Sequence, residues 1–166
     1  LLLLISCNSK IDDSFKSLSE SFNFWYFKNN PVTSTFQNQQ KYDGEFRLND
    51  FKSNENYILD LNRFYFELTQ IDAQKLNQIS KLEYNRIEKT ILKLIYIEEK
   101  IKEQEWRPYL KLHEIETGMT YLINYTYIPV DKRMEAINRR LNKIEEILDY
   151  SLINITFLSE SEYYSC

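Results

Sequence analysis

The chain has 166 residues, a formal net charge of −4, 43% hydrophobic and 15% aromatic residues. That is too apolar for a disordered chain and gives no basic field for a nucleic acid, and no apolar run reaches the ~18 residues of a membrane span. With only two glycines and three prolines, tight turns are scarce and long periodic runs must make the fold. The expectation is an all-α protein, an antiparallel helical bundle of about five helices.

The chain opens with LLLLISC. Leu1–Ser6 is too short to cross a bilayer but fits the end of a signal-peptide apolar core. Leu4-Ile5-Ser6-Cys7 resembles the bacterial lipobox, in which a peptidase cuts before the cysteine and lipid is attached to its thiol and new amino group. Acyl chains contribute ~0.8 kcal/mol per buried methylene, so several of them anchor a protein firmly. Asn8 in place of Asp after the cysteine permits, by analogy with sorting rules, the outer membrane. The other reading of the stub is a frayed helix start with a free cysteine. Cys166 ends the chain; a disulfide between it and Cys7 would compete with lipidation.

Ile11, Phe15, Leu18, Phe22 and Trp25 recur at spacings of four and three, which predicts a helix that Asp12 or Asp13 can cap. It should end near Asn29-Asn30, with Pro31 opening a short helix capped by Asn30. Residues 38–53, with Tyr42-Asp43-Gly44, read as turn and loop. Ser53 is the expected cap of a helix that buries Tyr57 or Ile58, Leu61, Phe64 or Tyr65, and Leu68. After a break around Ile71–Ile79, Ser80-Lys81-Leu82-Glu83 has the form of a capping box, with Ile79 and Tyr84 as its staple. That helix should run to about Gln104 with Ile87, Ile91, Leu94 and Ile101 on one face, and Pro108 should end or kink it. In residues 109–126, Gly118 costs ~1 kcal/mol relative to Ala, so it should serve close packing or a bend. After Pro129 a last helix has an expected buried stripe of Met134, Ile137, Leu141, Ile144, Leu148 and Leu152, with Arg133, Arg139, Arg140, Glu145 and Glu146 on its opposite face. Phe22, Leu61, Phe64, Leu94, Leu141 and Leu148 are the expected core.

Few residues carry chemistry. His113-Glu114 begins like the HExxH motif of zinc peptidases, but Thr117 stands where the second histidine belongs and the chain has only one His. Cys7 and Cys166 lie at chain ends, where nothing positions a base. Two glycines cannot build a phosphate loop or a dinucleotide fingerprint. Pairs such as Glu98-Glu99 belong to solvated helix faces. FNFWYF (Phe22–Phe27) can be a stacking platform or, as a helix run pointing in every direction, core plus docking surface. No residue is assigned a catalytic or metal-binding role.

Several separated elements, taken in order, resemble the N-terminal region of the DUF885 family of bacterial envelope proteins: NNPVTST (Asn29–Thr35), Tyr42-Asp43-Gly44, the helix pair Ile58–Leu68 and Leu82–Ile97, Trp106-Arg107-Pro108-Tyr109 with Gly118, and Pro129, Arg133 and Arg140-Leu141. The likeness covers about residues 20–155. Glu145 departs from it, since a proline usually follows the position of Ile144, and a straighter final helix is expected. Residues 156–166 do not follow the family. The family's larger C-terminal part carries an HExxxGH-like motif and resembles helical zinc metallopeptidases; no position here matches that motif. The resemblance therefore implies the non-catalytic N-terminal scaffold of a larger helical, metallopeptidase-like envelope lipoprotein, with zinc only in the part beyond this chain.

The implied plan is a signal remnant at 1–6, a lipidated tether at 7–13, a helical domain at 14–158 and a tail at 159–166. Cys7 would tie it to the envelope membrane, facing the periplasm, and its partners would be that membrane and the C-terminal catalytic region. Trp106, Arg107, Arg133 and Arg140 are candidates for packing between parts or for gripping a substrate carboxylate. The rival is a stand-alone helical lipoprotein that binds a ligand or protein partner.

Overall fold

The computed structural model describes residues 2–48, 50–107, 109–126 and 128–153, without the side chains of residues 2–9 and 51. Pro108, the 156–166 segment, Cys166 and the Cys7 thiol thus lie outside the described parts. Among the described residues there is no strand, and the architecture is all-α. The helices are α1 (Leu2–Asn29), α2 (Pro31–Phe36), α3 (Phe51–Thr69), α4 (Gln78–Tyr96), α5 (Tyr109–Asn124), α6 (Val130–Leu141) and α7 (Ile144–Ile153). No helix is long and apolar enough to cross a membrane. The chain divides into two compact units, Leu1–Tyr26 with Glu55–Ile101 and Phe27–Asn54 with Lys102–Cys166.

The first unit follows its stripes. Phe15, Phe22 and Trp25 of α1, Tyr57, Leu61, Phe64 and Leu68 of α3, and Tyr84, Ile87 and Ile91 of α4 form one buried cluster. Phe22 meets Phe64 edge-on at 5.4 Å and Trp25 stacks on Tyr57 at 4.9 Å, the offset and T-shaped geometries that ring quadrupoles favour. The Trp25 indole satisfies its N–H by donating to Asp60 Oδ2 at 2.8 Å. In FNFWYF, Phe22 and Trp25 are buried while Phe24 faces outward. Leu94 is only partly buried against the cluster, because α4 gives way after Tyr96 to a wider π turn at Ile97–Ile101.

The helix caps differ from those expected. Asn77, not Ser80, caps α4, its side chain accepting from the Ile79 and Ser80 amides, and Ile79 is exposed rather than stapled. Glu83, freed from capping, pairs with Arg86 and accepts from the Ser19 hydroxyl at 3.2 Å. α1 starts too early for Asp12 to cap it; Asp12 instead accepts from the Asn77 amide. Asp50, not Ser53, sits at the start of α3 and accepts from the amide and hydroxyl of Ser53. In each case an Asx side chain lies three residues before the expected cap or tertiary contact redirects it.

In the second unit, Pro31 does open α2 after Asn30, although the Asn30 side chain makes no capping bond. The larger differences lie in α6 and α7. The expected straight helix breaks at Asn142-Lys143. The expected inner stripe faces out: Met134 is 58%, Leu141 51% and Leu152 65% exposed, and Leu148 is half-buried. Ala136, Arg140 and Ile147 are buried in their place. α6 is rotated by about one residue from the expected orientation, because Arg140 has polar partners inside that Leu141 would leave unsatisfied.

Candidate functional site

Arg140, fully buried, is the hub of the second unit. Its Nε donates to the Glu45 carbonyl at 3.1 Å, Nη1 to the Gly118 carbonyl, and Nη2 to Thr35 Oγ1 at 2.8 Å. The guanidinium lies 4.9 Å from the centre of the Phe46 ring, within cation–π range. The Thr35 hydroxyl donates to the Pro31 carbonyl at 3.1 Å, and Asp43, also buried, faces the charge of Arg140. One of its carboxylate oxygens has no hydrogen-bond partner among the described residues. Burial pulls the Arg140 pKa down to about 10, against the opposing pull of Asp43, Glu114 and Glu45, so it stays charged at neutral pH. Burial also raises the Asp43 pKa, although Thr35 and the nearby arginines hold it back.

The glycines make room for arginines. A Cβ on Gly118 would lie 2.9 Å from Arg140, Phe46 and Val32, and one on Gly44 would lie 2.2 Å from Arg139. Gly118 thus serves close approach, as expected from sequence. The node gathers Thr35, Asp43, Gly44, Gly118 and Arg140, which come from separate stretches of the chain.

The other candidates sit elsewhere. Arg133 closes the C-terminal end of α5: Nη1 donates to the Ile123 carbonyl at 2.7 Å and Nε to the Ile128 carbonyl at 3.1 Å. A guanidinium there satisfies carbonyls that a helix end leaves open and suits the negative end of its dipole. Arg107 pairs with Glu103 at 2.7 Å, bonds the Tyr109 hydroxyl, and lies over the Trp106 and Tyr109 rings at 5.3 and 5.0 Å. The backbone at Lys102, just before, is left-handed with φ 51°. Arg107, Arg133 and Arg140 do not share a site; each has its own set of partners. Every carbonyl that Arg140 holds belongs to a residue far away in sequence, so no local pattern pointed to it. His113 projects from α5 with its side chain 70% exposed, 3.7 Å from Glu116. Among the described residues no group of three or more His, Cys, Asp or Glu is placed to hold a metal ion.

No family model and no curated protein matches the sequence. The fold does match a solved structure, that of a candidate lipoprotein of unknown function from Shewanella oneidensis, with a TM-score of 0.78 and 17% sequence identity over 87% of this chain. The match covers 26% of that protein, so this chain spans about a quarter of its length. At this identity the likeness establishes a shared helical fold.

Proposed function

We propose that this chain is the non-catalytic, N-terminal helical scaffold of a larger envelope-anchored lipoprotein of the DUF885 kind, whose catalytic part is metallopeptidase-like. The observation that carries the reading is the coverage of the structural match. A fold that accounts for 87% of this chain accounts for 26% of the other, so there the same helical unit is one part of a much longer polypeptide. Two features of this chain support it. Val130, Met134, Leu141, Leu152 and Ile153 leave an apolar stripe exposed along α6 and α7, which suits packing against further polypeptide. Leu4–Cys7 has the form of a lipidation signal, which would hold the protein at the bacterial envelope.

The reading frame on either side of this sequence, read with the mature protein, is the test. A leader upstream, an acylated Cys7 by mass spectrometry, and a downstream HExxxGH-type pair binding one zinc per full-length chain are the expected results. A stop codon directly after Cys166 would favour the stand-alone lipoprotein instead. A mature protein that begins elsewhere than Cys7 would remove the anchor.

A further inference from the structure

We infer that the second unit carries a stacking platform for a neutral saccharide, built from the Phe36 ring at the end of α2 and the carboxamides that follow it. The surface there is uncharged. Residues 31–40 and 117–126 contain no Asp, Glu, Lys, Arg or His, in a chain of which 28% is charged, and α2 packs on α5 so that the two stretches adjoin. Lys41 is the next cation along the chain, and its ammonium lies over the Tyr42 ring at 5.5 Å.

Phe36 is the unusual member. It is 56% exposed, although a polar residue would serve as the last residue of this short helix. One face of its ring lies on Tyr121, with 5.0 Å between centres and planes 28° apart, and Tyr121 stacks in turn on Tyr125 at 5.4 Å and 2°. This column sets the orientation of Phe36 in advance, which lowers the entropy that binding must offset. The backbone after Phe36 is fixed as well. Asn38 is left-handed with φ 59°, its amide donates to the Thr35 carbonyl at 3.0 Å and the Gln39 amide to the Ser34 carbonyl at 2.8 Å, the Schellman closure of a helix. The buried Ser34 hydroxyl donates back to the Gln39 carbonyl at 2.8 Å. That cap accounts for Asn38. It does not account for Gln37, Gln39 and Gln40 around it, all exposed. Gln40 Nε2 donates to Asn38 Oδ1 at 3.3 Å, one of the two N–H donors of a carboxamide that also carries an acceptor oxygen. Asn124, exposed and three residues after Tyr121, adds a further carboxamide on the same side of α5.

The surface selects the ligand by what it offers and what it lacks. An anion would find no guanidinium or ammonium in either stretch, and a cation no carboxylate. An apolar partner would cover the ring but strip water from carboxamides that it cannot hydrogen-bond, and an unpaired polar group taken from water is costly. The ligand must therefore bring an apolar face for the ring and uncharged donors and acceptors for the amides at once. A sugar ring does both. The C–H bonds on one of its faces carry the partial positive charge that the negative face of an aromatic ring attracts. Its neighbouring hydroxyls donate and accept, and so match a carboxamide with an N–H and a C=O side by side. The open surface suits one side of a saccharide chain rather than an enclosed small molecule. The inference does not rest on the scaffold reading.

Nuclear magnetic resonance titration of the full chain tests it with four probes: the glucose trimer cellotriose, the N-acetylglucosamine trimer, the cationic glucosamine trimer and hexanediol. Saturable shifts confined to Phe36–Gln40 and Thr120–Tyr125 with either neutral trimer support the platform, and the tighter of the two shows whether the N-acetyl group is recognised. Phe36→Ala should weaken binding about tenfold, the loss of one ring contact, while Phe36→Tyr should keep it. If Phe36→Ala unfolds, Gln37→Ala with Gln39→Ala alters only exposed side chains and should weaken binding several-fold, about the effect of one or two hydrogen bonds. Equal binding of hexanediol, tighter binding of the glucosamine trimer, no saturable shift, or undiminished affinity in the folded variants would overturn it. So would shifts at these residues that grow with protein concentration without sugar, which would make the face a contact between copies.

Discussion

The unit formed by Leu1–Tyr26 and Glu55–Ile101 is centred on rings and aliphatic side chains, with Phe22, Leu61, Phe64 and Ile91 at or near zero exposure. The unit formed by Phe27–Asn54 and Lys102–Cys166 is centred on a guanidinium, with a buried carboxylate, a threonine hydroxyl and two backbone carbonyls around it. The first core is chiefly non-directional: burial contributes most, at about 25 cal/mol per Å² of apolar surface. The second is directional, because each Arg140 donor must find its own acceptor. A core of the first kind tolerates changes of shape that conserve volume. One of the second kind fails when a single partner is lost and can recover when two are removed together.

The largest expected effect comes from opposing these two cores. Arg140→Ala should cost about 3–5 kcal/mol, because it leaves the Asp43 charge buried without its cation. Phe22→Ala should cost a similar 3–5 kcal/mol through transfer and cavity terms. The two losses separate in combination with Asp43→Asn. Arg140→Ala with Asp43→Asn should fall short of the summed single effects by 0.5–3 kcal/mol, whereas Phe22→Ala with Asp43→Asn should add within about 0.5 kcal/mol. Urea denaturation of the four-member sets measures both. Additivity in the Arg140 pair would mean that the guanidinium is held by the carbonyls alone.

The same contrast sets what could be read in advance. In the first unit, stripes at three and four spacing predicted Phe15, Phe22, Trp25, Leu61, Phe64 and Ile91 inside, because a helix that buries apolar surface writes its period into the sequence. In the second, the period of α6 pointed to Met134 and Leu141, and the structure turns that face outward. Arg140 lies one residue from Leu141, and a buried arginine looks in sequence like a solvated one. Only its partners distinguish it, and they lie 22 to 105 positions away. Gly118 was legible as a packing position because glycine within a helix is otherwise costly.

Gly118→Ala should come next in size. The added methyl would lie 2.9 Å from Arg140 Nη1, Phe46 and Val32, and the guanidinium cannot swing away without losing bonds to Thr35 and Glu45. Overpacking of this kind costs about 1–3 kcal/mol, against the stabilisation of up to ~1 kcal/mol that Gly→Ala brings in an open helix. A net gain in the urea midpoint would show that the node is looser than its distances imply.

Acid titration probes the node more gently. Asp12, Asp50, Asp72 and Glu83 have lowered pKa values, held down chiefly by hydrogen bonds from neighbouring side chains and amides. Each contributes stability above its unfolded pKa that is lost as the pH falls through the folded one. Asp43 has the opposite sign: burial raises its pKa above 3.8, so the folded state binds its proton first and is favoured as the pH falls from the raised value toward 3.8. Asp43 therefore offsets part of the acid loss. Asp43→Asn removes the offset, and stability should fall more steeply below neutral pH than in the unaltered chain. A parallel acid limb would place the Asp43 pKa at its ordinary value.

The smallest expected effect is that of Leu141 in α6. Leu141, of the expected stripe, is 51% exposed, whereas Ile147, outside it, is only 2% exposed. Leu141→Ala in this chain should change stability by no more than about 0.5 kcal/mol, the usual range for a surface position. Ile147→Ala should cost about 2–5 kcal/mol, as for a buried aliphatic side chain. The proposed scaffold role makes a second demand on Leu141. In a longer protein whose further residues cover the α6–α7 stripe, the same Leu141→Ala would remove a buried side chain and should cost about 2–5 kcal/mol. Measuring Leu141→Ala in both the short and the long chain thus separates a surface leucine from an interface leucine. A small effect in both would leave the stripe uncovered and detach the scaffold reading from this face. A large effect in the short chain alone would mean that the stripe is covered within the chain, and the orientation of α6 would have to be revised.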